Sequence, residues 1–297
     1  MFGRLLRAPS RVREMVRLID VRSRLEAQRA HEALEALKRE PRYAHPKHLA
    51  RFGYKVYSQN DEDGIIAEIF ERVGAVSRTF VEFGVGDGLE NNTLTLLFKG
   101  WRGLWIEGNP RFVERIRTNL PVTIASGALR VTNAFVTREN IDELISAALG
   151  EREIDLLSID IDGNDFHVFD AITCVVPRVV VIEYNAKFPP PMIYCMDYDE
   201  RHAWSGDDNF GASLKFLEQG FARRGYRLVG CNLTGSNAFF VRADLVGSKF
   251  LEPFSAENHY EPARYHLTGF PSGHRPSFRT LENSVAARVA AYGDRPR

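Results

Sequence analysis

Short apolar runs and helical stretches take turns along the middle of the chain. Runs of β character stand at 79–84, 103–107, 129–135, 154–161 and 178–183. Helical stretches of about ten residues separate most of them, the pattern of parallel strands joined by right-handed crossovers. Residues 156–161 and 179–182 are nearly continuous apolar runs, as strands covered on both faces require. Beyond 183 the order changes. Residues 188–211 are irregular and rich in Pro, Tyr and Asp; a helix is expected over 212–224. Two further runs, 226–231 and 238–242, flank the turn sequence Asn-Leu-Thr-Gly-Ser-Asn and read as an antiparallel hairpin. The predicted fold is α/β, a doubly wound, mostly parallel seven-stranded sheet with a C-terminal antiparallel hairpin and an N-terminal helical extension.

The flanks read differently. Residues 10–40 place Val12, Val16 and Ile19, then Leu34 and Leu37, at helical spacing behind Ser10 as N-cap. The stripe is thin and breaks at Ser23, Glu26 and His31, which suits pairing with a second copy or packing on the main domain. Pro41 and Pro46 end it. A second helix is expected over 61–73, with Ile65, Ile66, Ile69, Phe70 and Val73 on one face behind an acidic first turn. Residues 250–297 form a tail rich in Pro, His and Tyr with one short helix over 281–291. The expected organisation is an extension 1–53, an α/β domain 54–248 and a tail 249–297 packing on that domain.

Charge modifies this picture in one respect. The chain has 39 basic and 39 acidic side chains, but its first 60 residues hold 14 basic and only 6 acidic ones. The acidic remainder argues against a nucleic-acid groove through the main domain. The basic N-terminus suits either weak peripheral contact with an anionic membrane surface or a solvated Arg-rich helix. Arg4, Arg7, Arg11 and Arg13 interrupt any secretory core there, and no apolar run approaches the roughly 18 residues of a membrane span. Cys174, Cys195 and Cys231 are widely spaced and form no CxxC pair, which fits a reducing, cytoplasmic setting.

The strongest local signal is Phe80-Val-Glu-Phe-Gly-Val-Gly-Asp-Gly-Leu-Glu-Asn-Asn-Thr93, where a strand runs through Gly84, Gly86 and Gly88 into a helix. Such glycines let the backbone turn sharply and let a ligand approach it. The spacing is neither GxGxxG nor a P-loop. Glu82, Asp87 and Glu90 lie in or beside the loop, with no Lys or Arg between Phe80 and Phe98. A pyrophosphate would meet uncompensated carboxylates there; a ligand carrying a sulfonium and an ammonium group, such as S-adenosylmethionine, would be favoured. Glu107 ends the next strand 19 residues after Gly88, a placement that takes ribose hydroxyls. Asn133, at the third strand's end, is placed to meet the adenine edge.

Taken with the segment Ser158-Ile-Asp-Ile-Asp-Gly-Asn-Asp165, these features resemble the Rossmann-like class I S-adenosylmethionine-dependent methyltransferases, and within them the FkbM-like family. In that family the fourth strand ends in a D-V-E-G-x-E-like motif. Asp160, Asp162, Gly163 and Asp165 occupy those positions here, with Asp replacing both Glu. The resemblance covers about residues 56–245. It implies transfer of a methyl group to a hydroxyl oxygen, often on a sugar or a polyketide-type product, with Glu82 and the three glycines at the cofactor.

Ligands of open α/β sheets bind outside the carboxyl ends of the strands. Asp160 and Asp162, then Glu183 and Asn185, should meet there. Asp160, Glu183 and Asn185 could hold Mg²⁺ through oxygen ligands, provided the fifth strand stays regular. Without metal, Asp160 could position the cofactor's ammonium or the acceptor; Asp162 or Asp165 could equally cap the following helix. His202, in a long loop that mixes Tyr, Trp and five acids, is the preferred general base, with Asp160 as its catalytic companion. That loop suits a sugar ring, stacked on an aromatic face while its hydroxyls are bonded. Trp204 is read as a buried anchor of the loop. Two other readings stay open: a nucleotide-dependent oxidoreductase, and a non-catalytic α/β module assembling a biosynthetic complex through its N-terminal helix.

Overall fold

The computed structural model describes residues 10–150, 152–267 and 273–292. Arg4, Arg7 and the side chains of Arg11, Val12, Arg13 and Val16 lie outside what is described. Helix α1 (Ser10–Lys38) precedes α2 (Glu62–Val73). The sheet then begins, β1 (Thr79–Phe83), α3 (Leu94–Phe98), β2 (Arg102–Glu107), α4 (Pro110–Asn119), α5 (Pro121–Ala125), β3 (Leu129–Asn133) and α6 (Ile141–Ala148) following in turn. The second half runs β4 (Glu153–Ile159), α7 (Asp165–Ala171), β5 (Val176–Glu183), α8 (Leu214–Arg223), β6 (Tyr226–Cys231) and β7 (Asn237–Arg242). Short helices α9 (Ala243–Val246) and α10 (Ala256–His259) lead to α11 (Phe278–Tyr292).

The strand order is β3-β2-β1-β4-β5-β7-β6, parallel except for β7, which runs against both β5 and β6. The chain starts at the centre, winds outward to β3, returns beside β1 and winds the other way. The reversal between β1 and β4 opens a crevice at their carboxyl ends, where such sheets bind ligands.

Alternation along each strand sends side chains to two apolar layers. Phe83, Ile106, Ile159, Ile182 and Phe240 meet α6, α7 and α8 through Ile145, Phe169 and Phe221. Phe80, Trp105, Leu156, Val181 and Phe239 meet α2, α4 and α11 through Ile66, Ile116 and Leu281. The central strands are buried on both faces, so they read as continuous apolar runs. Strand ends fall short of the sequence expectation where the backbone leaves the extended region: β1 stops before Gly84 (φ 73) and β4 stops before Asp162 (φ 55).

The flanks are tied in at specific points. Leu34 and Leu37 of α1 pack on Tyr43, Ala50 and Leu233, while Met15, Leu18, Ile19 and Leu25 are exposed. Leu49 is buried in the second layer, and the Tyr43 hydroxyl donates to Glu261 (2.8 Å). In the tail, Phe278, Leu281 and Val285 complete the second layer. Among the described residues no helix is long and apolar enough to cross a membrane.

Candidate active site

The glycine loop is shaped from beneath. Glu82 is buried at the end of β1, and its carboxylate accepts from the backbone N–H groups of Asn92 (2.9 Å) and Thr93 (3.2 Å) and from the hydroxyls of Thr93 (2.5 Å) and Ser158 (3.1 Å). Burial nevertheless pushes its pKa up to about 7. A carboxylate with four protein donors has little capacity left for a ligand. Glu82, expected at the cofactor, instead braces the loop that would hold it.

The three glycines differ in what they permit. A Cβ at Gly84 would lie 1.7 Å from the Asp160 carbonyl oxygen, so the β1 and β4 ends touch there. A Cβ at Gly88 would meet Ile116 at 2.8 Å. Gly86 (φ 55) has open space where a side chain would stand, and its N–H donates to Glu107 Oε2 (2.8 Å). Glu107 Oε1 accepts from the Asn109 N–H (2.7 Å). Each oxygen keeps lone-pair capacity for hydroxyl donors. Glu107 thus fastens the loop and still faces the crevice.

Asn133 commits its amide nitrogen to the backbone. Its Nδ2 donates to the carbonyls of Glu107 (2.8 Å) and Gly108 (3.2 Å), closing the gap between β2 and β3. Phe135, two residues on, is 55% exposed and lies against Gly108. It borders a cavity of about 580 Å³ lined also by Thr137, Glu139, Asn140, Glu200 and Arg201. An exposed aromatic just past a strand end is the sequence signal that marks such a position.

The acids at the ends of β4 and β5 converge. Oxygens of Asp160, Asp162 and Glu183 lie within 4.8 Å of one another. Burial, then the charges of Asp165 and Asp162, pushes Asp160 well above the usual carboxylate range; burial, then the Asp160 charge, does the same to Glu183. Glu183 Oε2 is buried without a partner. Asp165 is used differently. It accepts from the N–H groups of Ile161 (3.0 Å) and Gly163 (2.8 Å) and so caps the turn. Asp162 sits on that turn in the left-handed region, a strained conformation for a non-glycine residue.

Asn185 is absent from the cluster. Its Nδ2 donates to the Asp208 (3.0 Å) and Phe210 (3.1 Å) carbonyls and its Oδ1 accepts from the Lys187 N–H (3.2 Å). The extra residue between Glu183 and Asn185 carries the amide past the strand end, where it holds the 188–211 loop instead. The same loop is pinned by Asn164 to the Asp199 carbonyl (2.7 Å) and by His167 to the Met196 carbonyl (2.8 Å). It carries His202 onto the acid turn. His202 Nε2 is 3.1 Å from the Asp162 carbonyl oxygen, and its ring occupies the space a Gly163 side chain would need. Trp204 is 53% exposed, so it is no buried anchor; its indole N–H donates to the Asp207 carbonyl (2.8 Å).

Further polar groups border the crevice that the sequence pattern does not mark as site residues. Glu62, in the first turn of α2, is fully buried and accepts from the side-chain amides of Asn60 (2.9 Å), Asn232 (2.7 Å) and Asn237 (2.9 Å). Asn60 and Asn237 are buried and keep carbonyl oxygens without partners. The signal in the sequence is an acidic stretch opening a helix, which reads equally as a favourable charge at a helix N-terminus.

Parts of the chain are similar to known proteins. Residues 130–228 match the family described as the methyltransferase FkbM domain. That span runs from β3 to β6 and includes the acid turn; the glycine loop lies upstream of it. No curated relative matches the chain. Among solved structures, the methyltransferase domain of bacterial CtHen1 shares 14% identity over 61% of this chain and 97% of its own, with a TM-score of 0.39. A putative caffeoyl-CoA O-methyltransferase from Staphylococcus aureus shares 12% over 60% of this chain and 81% of its own, with a TM-score of 0.41. An O-methyltransferase from Bacillus cereus, in complex with SAH, shares 15% over 72% of this chain and 88% of its own, with a TM-score of 0.39. Residues 130–228, which include the Asp160–Asp165 turn, thus match the methyltransferase FkbM domain, on a sheet whose strand order brings that turn and the acidic glycine loop to one crevice.

Proposed function

We propose that this protein transfers a methyl group from S-adenosylmethionine to a hydroxyl oxygen of a sugar, glycan or related natural-product acceptor. One observation carries the reading: Gly84 packs directly on the Asp160 carbonyl, so the cofactor loop and the acid cluster are two sides of one crevice. In this reading Gly84, Gly86 and Gly88 would hold the cofactor, which would supply the methyl group. Glu107 would take its ribose hydroxyls, and Phe135 would offer a face to the adenine.

The residues then supply position and a proton sink. The Asp162 carbonyl accepts from His202 Nε2–H, which leaves Nδ1 as the basic nitrogen. His202 takes the acceptor's proton as its oxygen bonds to the methyl carbon and the carbon–sulfur bond breaks. Asp160 orients the acceptor hydroxyl. Trp204, with Asp207 and Asp208 beside it, gives a sugar ring a surface to stack on and carboxylates to bond.

The donor set also fits a hard divalent cation. Asp160, Asp162 and Glu183 offer only oxygens, and one buried Glu183 oxygen has no partner. Mg²⁺ held by these three would lower the pKa of an acceptor hydroxyl. Calorimetric titration with S-adenosylmethionine and S-adenosylhomocysteine, with and without Mg²⁺, tests the reading. Saturable binding is expected, as is methylation of a hydroxylated acceptor that falls at least 100-fold in His202→Ala. Absence of binding in every condition overturns it.

A further inference from the structure

Opposite Glu183, on a strand the carboxylate cluster does not otherwise use, stands a buried asparagine. Asn237 opens β7 directly opposite Glu183 on β5. Opposed residues of an antiparallel pair project to the same face, with Cβ atoms about 4.5–5.5 Å apart. That face is the one shared by Val179, Val181, Phe239 and Val241, because 183 and 237 continue the alternation of those positions. Asn237 is 3% exposed. Its Nδ2 is held by Glu62 at 2.9 Å, which turns the amide so that Oδ1 is directed away from Glu62. That oxygen is buried with no partner, and so is Glu183 Oε2 across the strand pair. Buried carbonyl and carboxylate oxygens left unpaired are costly, and a group that brings positive charge or donors would satisfy both. Asn60 is set in the same way: its Nδ2 donates to the same Glu62 oxygen, and its Oδ1 is likewise buried and unpartnered.

We propose that Asn237 supplies an amide oxygen to a divalent-cation site formed with Asp160, Asp162 and Glu183, and that Glu62 is the residue that positions it. This rests on the metal reading above and assigns the amide ligand to β7, in place of Asn185. Hard cations of the Mg²⁺, Mn²⁺ and Ca²⁺ kind accept carboxylate and Asn carbonyl oxygens together. Glu62 touches neither cation nor acceptor. It takes the three asparagine amides and so leaves a carbonyl oxygen for the crevice.

The test is Mn²⁺ binding to the full chain, by calorimetry and by electron paramagnetic resonance of the free ion, with S-adenosylhomocysteine present and no acceptor. The wild type and Asn185→Ala are expected to bind alike, and Asn237→Ala at least ten-fold more weakly with its S-adenosylhomocysteine affinity retained. Equal Mn²⁺ binding by wild type and Asn237→Ala overturns the assignment and leaves a carboxylate-only site standing. No Mn²⁺ binding by the wild type overturns the metal reading itself, and the assignment with it. Should Asn237→Ala fail to fold, wild-type crystals grown with Mn²⁺ decide by anomalous scattering. An ion about 2.0–2.6 Å from Asn237 Oδ1 supports the site, and an ion bonded to carboxylates alone refutes it.

Discussion

Asp61 and Gly86 show how single residues here are governed by what surrounds them. Both oxygens of Asp61 are buried without partners, and burial, then the Glu62 charge, pushes its pKa up to about 7. The folded chain therefore holds a proton that the unfolded chain releases near pH 4. Stability is expected to fall as pH rises from about 4 to about 7 and to level off above. Asp61→Asn removes the share of that slope that Asp61 contributes, Glu82 keeping its own. Its stability relative to wild type should improve by on the order of 2–4 kcal/mol between pH 4 and pH 8, read by urea unfolding at each pH. Identical pH profiles would show that Asp61 stays ionised when buried. Gly86 illustrates the opposite case, since space is free around it but its backbone is not permissive. A β-branched side chain at φ 55 is strained and would stand in front of the loop. Gly86→Val should fold and lose S-adenosylhomocysteine binding at least 100-fold; retained binding in calorimetry would move the cofactor elsewhere.

At the scale of elements, the long 188–211 loop is organised by residues of the strands and helices it crosses. Asn185 holds its end by the Asp208 and Phe210 carbonyls, Asn164 and His167 hold its middle, and His202 lies on the Asp162–Gly163 turn. Under the proposed function that loop handles the acceptor, and Asn185 acts through it. Asn185→Ala is expected to raise the acceptor KM by about ten-fold, leaving S-adenosylhomocysteine affinity within about two-fold, because the glycine loop belongs to other elements. Steady-state kinetics with both substrates varied separates the two. A loss confined to cofactor affinity would place Asn185 at the cofactor after all. Gly163 is the matching element on the other side. Any side chain there must displace the His202 ring, so the β4 turn and the loop are shaped as a pair.

Across the whole molecule, the glycine loop and the acid cluster draw on segments far apart in the chain: 82–88, 107, 160–165, 183 and 202. The N-terminal helix stands apart from it. Its Met15, Leu18, Ile19 and Leu25 are exposed, and its grip on the domain begins at Ala30, Leu34 and Leu37. Removing residues 1–24 should shift the thermal midpoint by no more than about 2 °C, since the side chains described there, Met15, Leu18, Ile19 and Val21 among them, are exposed. Removing residues 1–50 takes away buried Tyr43, Leu49 and Ala50 and the hydroxyl bond to Glu261, and should abolish cooperative unfolding. Light scattering on the shorter deletion tests whether the exposed stripe joins copies of the chain; an unchanged mass removes assembly from the helix's roles.

The seven strands, their parallel and antiparallel senses and the glycine loop were legible in the sequence, because period-two and period-3.6 patterns and turn residues are local properties of the chain. So were the acids of the fourth and fifth strand ends, since strand ends of such a sheet face one crevice. Which of the polar residues face that crevice was decided only by the tertiary structure. Glu82 turned to its own loop, Asn133 to the carbonyls at the end of β2 and Asn185 to the long loop, because each had backbone or hydroxyl groups nearby to pair with. Glu62, Asn60 and Asn237 meet one another from positions whose sequence pattern shows only a helix start and a hairpin turn. Their meeting depends on α2 packing against the end of β7, a contact between residues 175 positions apart. Spacing along a chain says which face a side chain shares with its neighbours; it does not say which distant group will satisfy its hydrogen bonds.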